Sequence, residues 1–260
     1  MLVVKEQGFA YRPVPKNGTC STHALIFQSL LRDNYYGPLN KQKYLRYLKK
    51  PMRYQAELKD ILKINSIHYD RINSPTSNKK TKQDWDNILS ELFVFSIVRN
   101  PWSRLVSAYK QAQKWYDPNM SQKEKDKLLE VERSRPHPEK RLSFDKMFKY
   151  MNKKPTFENF VNLVVNIEPD SVELANQHWR KQCEILRIGH FKYDYLGRFE
   201  QWDYSWEVIR HNTKLKFEKK TPKYNNHRKY DYKKFYKNKK IIDAVGDYYS
   251  EDIKELKYEW

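Results

Sequence analysis

Cysteine and long apolar runs are both scarce in this sequence, and each scarcity excludes a class of protein. Only Cys20 and Cys183 occur among the 260 residues, so a disulfide framework is not indicated and a reducing compartment is favoured. The apolar stretches are too short to span a bilayer, and the N-terminus lacks the apolar region and cleavage site of a signal peptide. We therefore expect a soluble, cytoplasmic protein with one α/β domain over residues 1–260.

The sequence also lacks the loop G-x-x-x-x-G-K-[ST], which places lysine directly before the hydroxyl that holds Mg²⁺. This absence disfavours a P-loop small-molecule kinase, which stays an alternative. In its place, residues 14–22 read VPKNGTCST, between a strand predicted over residues 8–15 and a helix predicted over residues 19–32. Lysine, glycine and small hydroxyl residues at a helix N-terminus favour binding of a phosphate, here without an evident metal site.

A second turn of the same kind occurs later in the chain. Residues 92–98 form a near-continuous apolar run, typical of a parallel strand covered on both faces. Residues 100–101, Asn-Pro, favour a helix start, so we expect Arg99 at the strand end and Ser103 and Ser107 one turn apart on the helix. Such groups can converge on a phosphate. A salt-bridged arginine beside solvated serines is the alternative interpretation.

Together the two turns resemble the donor-binding motifs of sulfotransferases. Residues 15–19, PKNGT, resemble the 5′-phosphosulfate loop, and residues 98–109, VRNPWSRLVSAY, resemble the 3′-phosphate motif. Residues 178–200 are similar to the HW…C…YD-x-x-G-[KR]-x-E block of carbohydrate sulfotransferases related to the chondroitin 4-O and HNK-1 enzymes. The tail, residues 227–258, resembles the HxxY…YY…Y..D…Y ending of bacterial members. The chain is thus similar to a bacterial-type, soluble member of sulfotransferase family 2.

The resemblance implies a P-loop-like three-layer sandwich, with a central, mainly parallel sheet flanked by helices. It implies transfer of a sulfuryl group from 3′-phosphoadenosine 5′-phosphosulfate to a glycan hydroxyl, without a metal. Lys16 would contact the 5′-phosphate and the bridging oxygen, and Arg99 and Ser107 would hold the 3′-phosphate. Further donor contacts would come from Asn17, Gly18, Thr19, Cys20, Ser21 and Thr22. Golgi relatives carry a membrane anchor, so a trimmed chain would instead belong to the Golgi lumen.

The acceptor hydroxyl needs a general base, for which histidine or glutamate is usual in this superfamily. His68 is the first candidate, because it ends a short predicted strand between the two phosphate motifs. His23 and His178 are alternatives, although a lone histidine is more often structural. Trp179 is either an acceptor contact or, the favoured interpretation, a core residue.

The net charge of +19 calls for a partner. Residues 211–240 hold twelve lysines or arginines against Glu218 and Asp231, with aromatic residues interleaved. A solvated lysine-rich surface, an anionic glycan or nucleotide site, and a single-stranded nucleic-acid site all fit this pattern. A basic nucleic-acid-binding protein is therefore the alternative function, although nucleic acid is the less favoured partner. The charged residues 117–142 predict a mobile insertion near the site.

Overall fold

The computed structural model describes residues 1–33, 58, 62, 65–66, 82–115, 119–133, 156–167, 176–215 and 231–260. The chain divides into two compact units. The first comprises Met1–Val98 and Gly189–Arg228, and the second comprises Arg99–Ile188 and Lys229–Trp260. Each unit is thus built from two separate stretches of chain.

The sheet belongs to the first unit. Its strands are β1 (Leu2–Val4), β2 (Phe9–Tyr11), β3 (Asn65–Ser66), β4 (Phe93–Val98) and β5 (Tyr195–Arg198), in the order β3-β1-β2-β4-β5. The pairs β2–β4 and β4–β5 are parallel, whereas β1 pairs antiparallel with both β2 and β3. The predicted α/β class is confirmed, and two of the parallel strands, β2 and β4, lead into the two motif turns.

Along the chain, the described helices lie between these strands and after the last of them. In chain order they are α1 (Thr19–Asp33), α2 (Lys82–Ser90), α3 (Pro101–Trp115), α4 (Gln122–Arg133), α5 (Phe157–Asn162), α6 (Gln182–Leu186), α7 (Trp202–Asn212), α8 (Lys239–Tyr248) and α9 (Ser250–Glu255). The first unit holds α1, α2 and α7, and the other helices belong to the second. No described helix has the length and apolar character that crossing a membrane requires.

Helices cover both faces of the sheet in the first unit. Phe9 and Tyr11 of β2 pack in an apolar cluster with residues of α1 and α7, whereas Ala10 between them packs with Leu89 of α2. Because successive strand residues point to opposite faces, these two clusters lie on opposite sides of the sheet. The predicted three-layer arrangement is therefore present within this unit.

Strand β1 extends the predicted sheet. Residues Lys5–Gln7 form a 3-10 turn that ends at Gly8, whose φ of +70° lies in the left-handed region. The turn joins β1 and β2 into a hairpin. The first strand predicted from the sequence begins at residue 8 instead, because the polar residues 5–7 interrupt the very short apolar run before it.

Aromatic side chains form the core of the second unit. Trp179 has no exposed surface, and its ring meets Phe160 edge-on with 5.3 Å between ring centroids. The Tyr236 hydroxyl donates to the Trp102 carbonyl oxygen at 3.0 Å, and the Tyr249 hydroxyl donates to the Trp179 carbonyl oxygen. Burial raises the pKa of both tyrosines, so both remain protonated donors. Tyrosines near the end of the chain thereby fix α3 and residues 176–180.

Two predicted segments are described only in part. The excursion at residues 117–142 contains α4, and its residues 117–118 and 134–142 lie outside the described ranges. In the basic segment 211–240, residues 216–230 lie outside them. Each prediction for the undescribed parts stays a prediction.

Candidate active site

Residues 14–18 form a tight turn between β2 and α1 in the first unit. The Asn17 N–H donates to the Val14 carbonyl oxygen at 3.3 Å, and Lys16 has a φ of +74°. In a β-turn whose third residue has a positive φ, proline is favoured at the second position, which Pro15 occupies here. Because glycine adopts this left-handed region readily and lysine rarely does, the turn holds the Lys16 backbone under strain.

Two side-chain hydrogen bonds fix this turn. The Asn17 amide Nδ2 donates to the carbonyl oxygen of Ile97, near the carboxyl end of β4, at 2.9 Å, and the Asn17 side chain is buried. The Thr19 hydroxyl donates to the Val14 carbonyl oxygen at 2.6 Å. The turn is therefore held to the sheet and closed on itself.

The N-terminus of α1 follows the turn directly. The Thr22 N–H donates to the Gly18 carbonyl oxygen at 2.8 Å, and the first turn of the helix contains no acidic residue. N–H groups at the start of a helix have no intrahelical acceptor, and the helix dipole is positive there. With Lys16 three residues before the helix, this end of α1 is suited to an anion.

An aromatic segment that the sequence analysis did not single out lies against this loop. The rings of Phe199 and Trp202 cover Gly18, whose φ is +78°. Trp202 also lines an open cavity of about 500 Å³, together with Glu200, Gln201, Asp203 and Tyr204. Glu200 closes the YD…G-R-x-E motif, and this was the signal in the sequence that could have indicated the segment.

Below the loop, the predicted donor contacts divide into buried and exposed residues. Thr22 is buried and Cys20 is exposed. Burial raises the pKa of Tyr11, and the nearby Thr22 and Thr19 hydroxyls partly oppose this rise.

His23 meets the Tyr11 ring edge-on, with 5.6 Å between ring centroids, and is itself buried. This packing favours a structural role for His23 rather than that of general base.

The second turn begins the second unit. Arg99 is only 8% exposed, and its Nε donates to the Ser103 hydroxyl at 3.0 Å. Asn100 caps α3, because its Oδ1 accepts the Ser103 N–H at 3.1 Å. Ser107 lies one turn further along α3 and is half-buried. The Arg99 side chain therefore contacts Ser103, whereas the residue that the resemblance assigns to the 3′-phosphate together with Arg99 is Ser107.

His178 is held in a defined ring orientation. Asn176 Oδ1 accepts the His178 backbone N–H at 3.1 Å and lies 2.8 Å from His178 Nδ1. Because the backbone N–H can only donate, the amide oxygen faces the histidine, so Nδ1 carries the proton. A neutral His178 then has its lone pair on Nε2, as a general base requires.

Arg104 of α3 fixes the segment that carries this histidine. Its side chain is 1% exposed and donates to the carbonyl oxygens of Arg180 at 2.7 Å and Gln177 at 3.1 Å. Trp179 lies between these residues in the core, and burial therefore favours its core interpretation over an acceptor contact. The remaining base candidate, His68, lies outside the described residues.

The YD…G-R part of the third motif has a structural explanation. Asp194 Oδ2 accepts the Val94 N–H at 2.8 Å. A Cβ at Gly197 would lie 2.8 Å from the Ile97 Cδ1 atom, so this position admits only glycine without a shift. These residues hold β5 against β4 and need no ligand to account for them.

The buried contacts of Gln182 with the second turn, and of Asp252 with Gln182, were not predicted from the sequence. Gln182 has no exposed surface; its Oε1 accepts the Arg99 N–H at 3.0 Å and its Nε2 donates to the Arg99 carbonyl oxygen at 2.8 Å. Asp252, also fully buried, accepts the Gln182 and Cys183 N–H groups at 2.8 and 2.7 Å. Arg99, Gln182 and Asp252 all lie within the motif ranges given above, but no sequence pattern indicated that they meet.

Comparison with known proteins gives one finding. A family model described as "Sulfotransferase family" matches residues 1–259. No curated protein and no solved structure shows a significant match to the chain.

Proposed function

The chain belongs to the sulfotransferase family, whose members transfer sulfuryl groups and share a P-loop-like fold, and on that premise we propose its donor and acceptor. The donor is 3′-phosphoadenosine 5′-phosphosulfate, and the acceptor is a hydroxyl of a carbohydrate. The donor leaves as adenosine 3′,5′-bisphosphate when the sulfuryl group passes to the acceptor oxygen.

The strained, hydrogen-bonded turn that holds Lys16 at the start of α1 is the observation that carries this proposal. In-line sulfuryl transfer breaks the bond to the bridging oxygen, where negative charge develops. Lys16 and the first N–H groups of α1 supply positive charge and donors to the 5′-phosphate and that oxygen. A turn fixed before the ligand arrives requires little reorganisation during the reaction.

The 3′-phosphate is assigned to Arg99 and Ser107. An arginine guanidinium offers donors in a planar fork that suits phosphate oxygens. Arg99 is held by Ser103 through Nε, and Ser107 follows on the same helix. A phosphate at the 3′ position distinguishes this donor from ordinary adenine nucleotides.

The general base is proposed to be His68, with His178 as the alternative. His68 is proposed because it lies in the sequence between the two phosphate motifs. His178 is favoured by its bond to Asn176, which orients the ring. The carbohydrate acceptor rests on the resemblance of residues 178–200, and the net charge of +19 suits an anionic glycan.

Ligand binding without added metal tests the donor assignment. Adenosine 3′,5′-bisphosphate, ATP and a single-stranded oligonucleotide are compared by thermal unfolding, with Lys16→Ala as the matched variant. Binding at 100 times Kd adds about 2.7 kcal/mol to the free energy of unfolding. We expect the bisphosphate to raise the melting temperature of the native chain more than ATP does, and to act less on Lys16→Ala.

Two outcomes contradict the proposal. No stabilisation at millimolar bisphosphate removes the donor assignment. Stabilisation by the oligonucleotide alone, steeply weakened by salt and unchanged in Lys16→Ala, indicates a nucleic-acid-binding protein instead. Transfer of radiolabelled sulfate to a panel of polysaccharides, phenols and peptides then tests the acceptor class.

A further inference from the structure

We propose that Gln182, held in place by Asp252, is a positioning residue that fixes Arg99 and thereby sets the preference for a donor with a 3′-phosphate. The inference rests on the proposed function, because it concerns the residue assigned there to the 3′-phosphate. It adds two residues, neither of which is proposed to touch the donor.

The Gln182 amide pairs with the backbone of Arg99 at both polar atoms. Its Oε1 accepts the Arg99 N–H at 3.0 Å, and its Nε2 donates to the Arg99 carbonyl oxygen at 2.8 Å. A primary amide has one acceptor and one donor on the same edge, so it pairs with a residue's backbone as a peptide group of a neighbouring strand does. Two short bonds to one residue define the direction in which its side chain leaves the backbone.

The side chain of Arg99 has a second anchor further out. Its Nε donates to the Ser103 hydroxyl at 3.0 Å. This bond uses one of the five N–H donors of the guanidinium and sets the plane of the group. With the backbone held by Gln182 and the guanidinium held by Ser103, little rotamer freedom remains to be lost when a phosphate binds.

Asp252 orients Gln182 in turn. One carboxylate oxygen, Oδ2, accepts the Gln182 N–H at 2.8 Å and lies 3.4 Å from Nε2, and the other accepts the Cys183 N–H at 2.7 Å. The carboxylate attracts the Nε2 end of the amide, which directs Oε1 to the Arg99 N–H. Burial, and after it the Asp252 carboxylate, raises the pKa of the Cys183 thiol, so no second negative charge forms beside Asp252.

Loss of the Gln182 amide therefore has a selective consequence. The Arg99 charge remains and still attracts anions in general. The Arg99 N–H and carbonyl oxygen lose these two hydrogen bonds, which weakens the restraint on the orientation in which Arg99 contacts the 3′-phosphate. Affinity for a 3′-phosphorylated ligand should fall, while affinity for the same ligand without that phosphate stays unchanged.

Isothermal titration with two nucleotides measures this selectivity. Adenosine 3′,5′-bisphosphate and adenosine 5′-monophosphate differ only in the 3′-phosphate. The dissociation constant of the monophosphate divided by that of the bisphosphate therefore reports the contribution of the 3′-phosphate. The variant Gln182→Met keeps the length of the side chain and removes both hydrogen bonds. We expect the ratio to fall about tenfold, which is the loss of one charge-assisted contact.

Ser205→Ala provides the matched control. The buried Ser205 hydroxyl accepts the Arg198 N–H at 2.9 Å and donates to the Arg198 carbonyl oxygen at 3.0 Å, the same pairing at a different strand end. A general loss of stability would affect both variants, but the ratio should change only in Gln182→Met. An unchanged ratio in Gln182→Met, or an equal fall in Ser205→Ala, overturns the inference.

Two further results keep the test decisive. If Gln182→Met does not fold, Asp252→Asn leaves the glutamine in place and weakens its support, and the ratio should fall in the same direction; no change overturns the inference. If the native chain itself binds neither nucleotide, the proposed function fails. If it prefers the bisphosphate and the variants do too, only the positioning role of Gln182 fails.

Discussion

The Trp202 indole occupies the space that a Cβ atom at Gly18 would need. Its Cζ3 atom lies 2.7 Å, and its Cη2 atom 3.0 Å, from the ideal Cβ position, while Phe199 Cε2 lies at 3.1 Å. Real Cβ atoms essentially never show a contact as short as 2.7 Å, so a side chain at residue 18 requires the Trp202 ring or the turn to shift. The aromatic residues Phe199 and Trp202 therefore restrict residue 18 of the turn between β2 and α1 to glycine.

Gly18→Ala should destabilise the protein and weaken donor binding together. The substitution combines a left-handed backbone conformation, unfavourable for alanine, with the clash against Trp202. Each effect costs about 1–3 kcal/mol. Chemical denaturation measures the first consequence, and titration with adenosine 3′,5′-bisphosphate measures the second.

Gly8→Ala is the control for the backbone contribution. Gly8 has a similar φ of +70°, but a Cβ there would meet nothing within 4 Å. Its free energy of unfolding should fall less than that of Gly18→Ala, and donor affinity should not change. Equal losses of unfolding free energy in the two variants would show that the Trp202 ring moves aside without destabilising the protein.

Replacement of Lys16 should separate stability from turnover. Glycine adopts a φ of +74° without strain, so Lys16→Gly should preserve or raise the free energy of unfolding, by up to about 1 kcal/mol. The same change removes the positive charge that we propose for the bridging oxygen, and kcat should fall about 10²–10³-fold. Steady-state sulfate transfer and chemical denaturation measure the two effects.

Lys257→Gly is matched to this variant. Lys257 also has a positive φ, +53°, and is exposed in the second unit. It should gain a similar stability without any loss of turnover. A large loss of stability in Lys16→Gly alone would mean that the Lys16 side chain holds the turn, rather than being held by it.

The general base should be identified by three histidine variants. If His68 accepts the proton of the acceptor hydroxyl, kcat of His68→Ala falls about 10²–10⁴-fold with donor affinity unchanged. The pH profile of kcat then loses its acidic limb, because a protonated imidazole cannot act as base. Single-turnover measurements with radiolabelled donor separate this step from product release.

His178→Ala and His23→Ala complete the set. A near-normal kcat in His68→Ala beside an inactive His178→Ala moves the role to His178, and Asn176→Ala should then lower kcat as well. His23→Ala is expected to lower stability through its packing against Tyr11, with turnover per folded molecule retained.

Stability should fall at alkaline pH because of the buried tyrosines. Burial raises the pKa of Tyr236 and Tyr249 above the ordinary value of 10.0, so the folded chain retains protons that the unfolded chain releases. Their contribution is fully present below that value and is lost as pH rises through the range above it. Denaturation midpoints should therefore stay level up to about pH 9 and decrease from there to about pH 12. Tyr236→Phe should flatten the decrease, and Tyr204→Phe, at an exposed position, should not.

Local signals in the sequence predicted much of the fold. The apolar run at residues 92–98 and the Asn-Pro pair after it predicted β4 and α3 nearly to the residue, because strand burial and helix capping depend on neighbours in sequence. The same holds for α1, predicted over residues 19–32 and found at Thr19–Asp33. The β1 hairpin was missed because a three-residue strand has no measurable periodicity.

The supports of the candidate site could not be predicted in this way. Gln182 meets Arg99 across 83 positions, and Asp252 meets Gln182 across 70. A buried glutamine or aspartate has no periodic pattern and is ordinarily expected at the surface. Ser103 was correctly placed on α3, but its bond to Arg99 depends on a rotamer that sequence does not define.

The interleaved course of the chain has a consequence for synthesis. The second unit joins Arg99–Ile188 to Lys229–Trp260, and the intervening stretch belongs to the first unit. Asp252, which holds Gln182, is therefore translated long after Arg99. During translation, the two stretches of this unit are made at different times, so the unit is expected to complete its folding late. Premature termination before residue 252 should yield a chain that aggregates, even though both phosphate motifs have already been made.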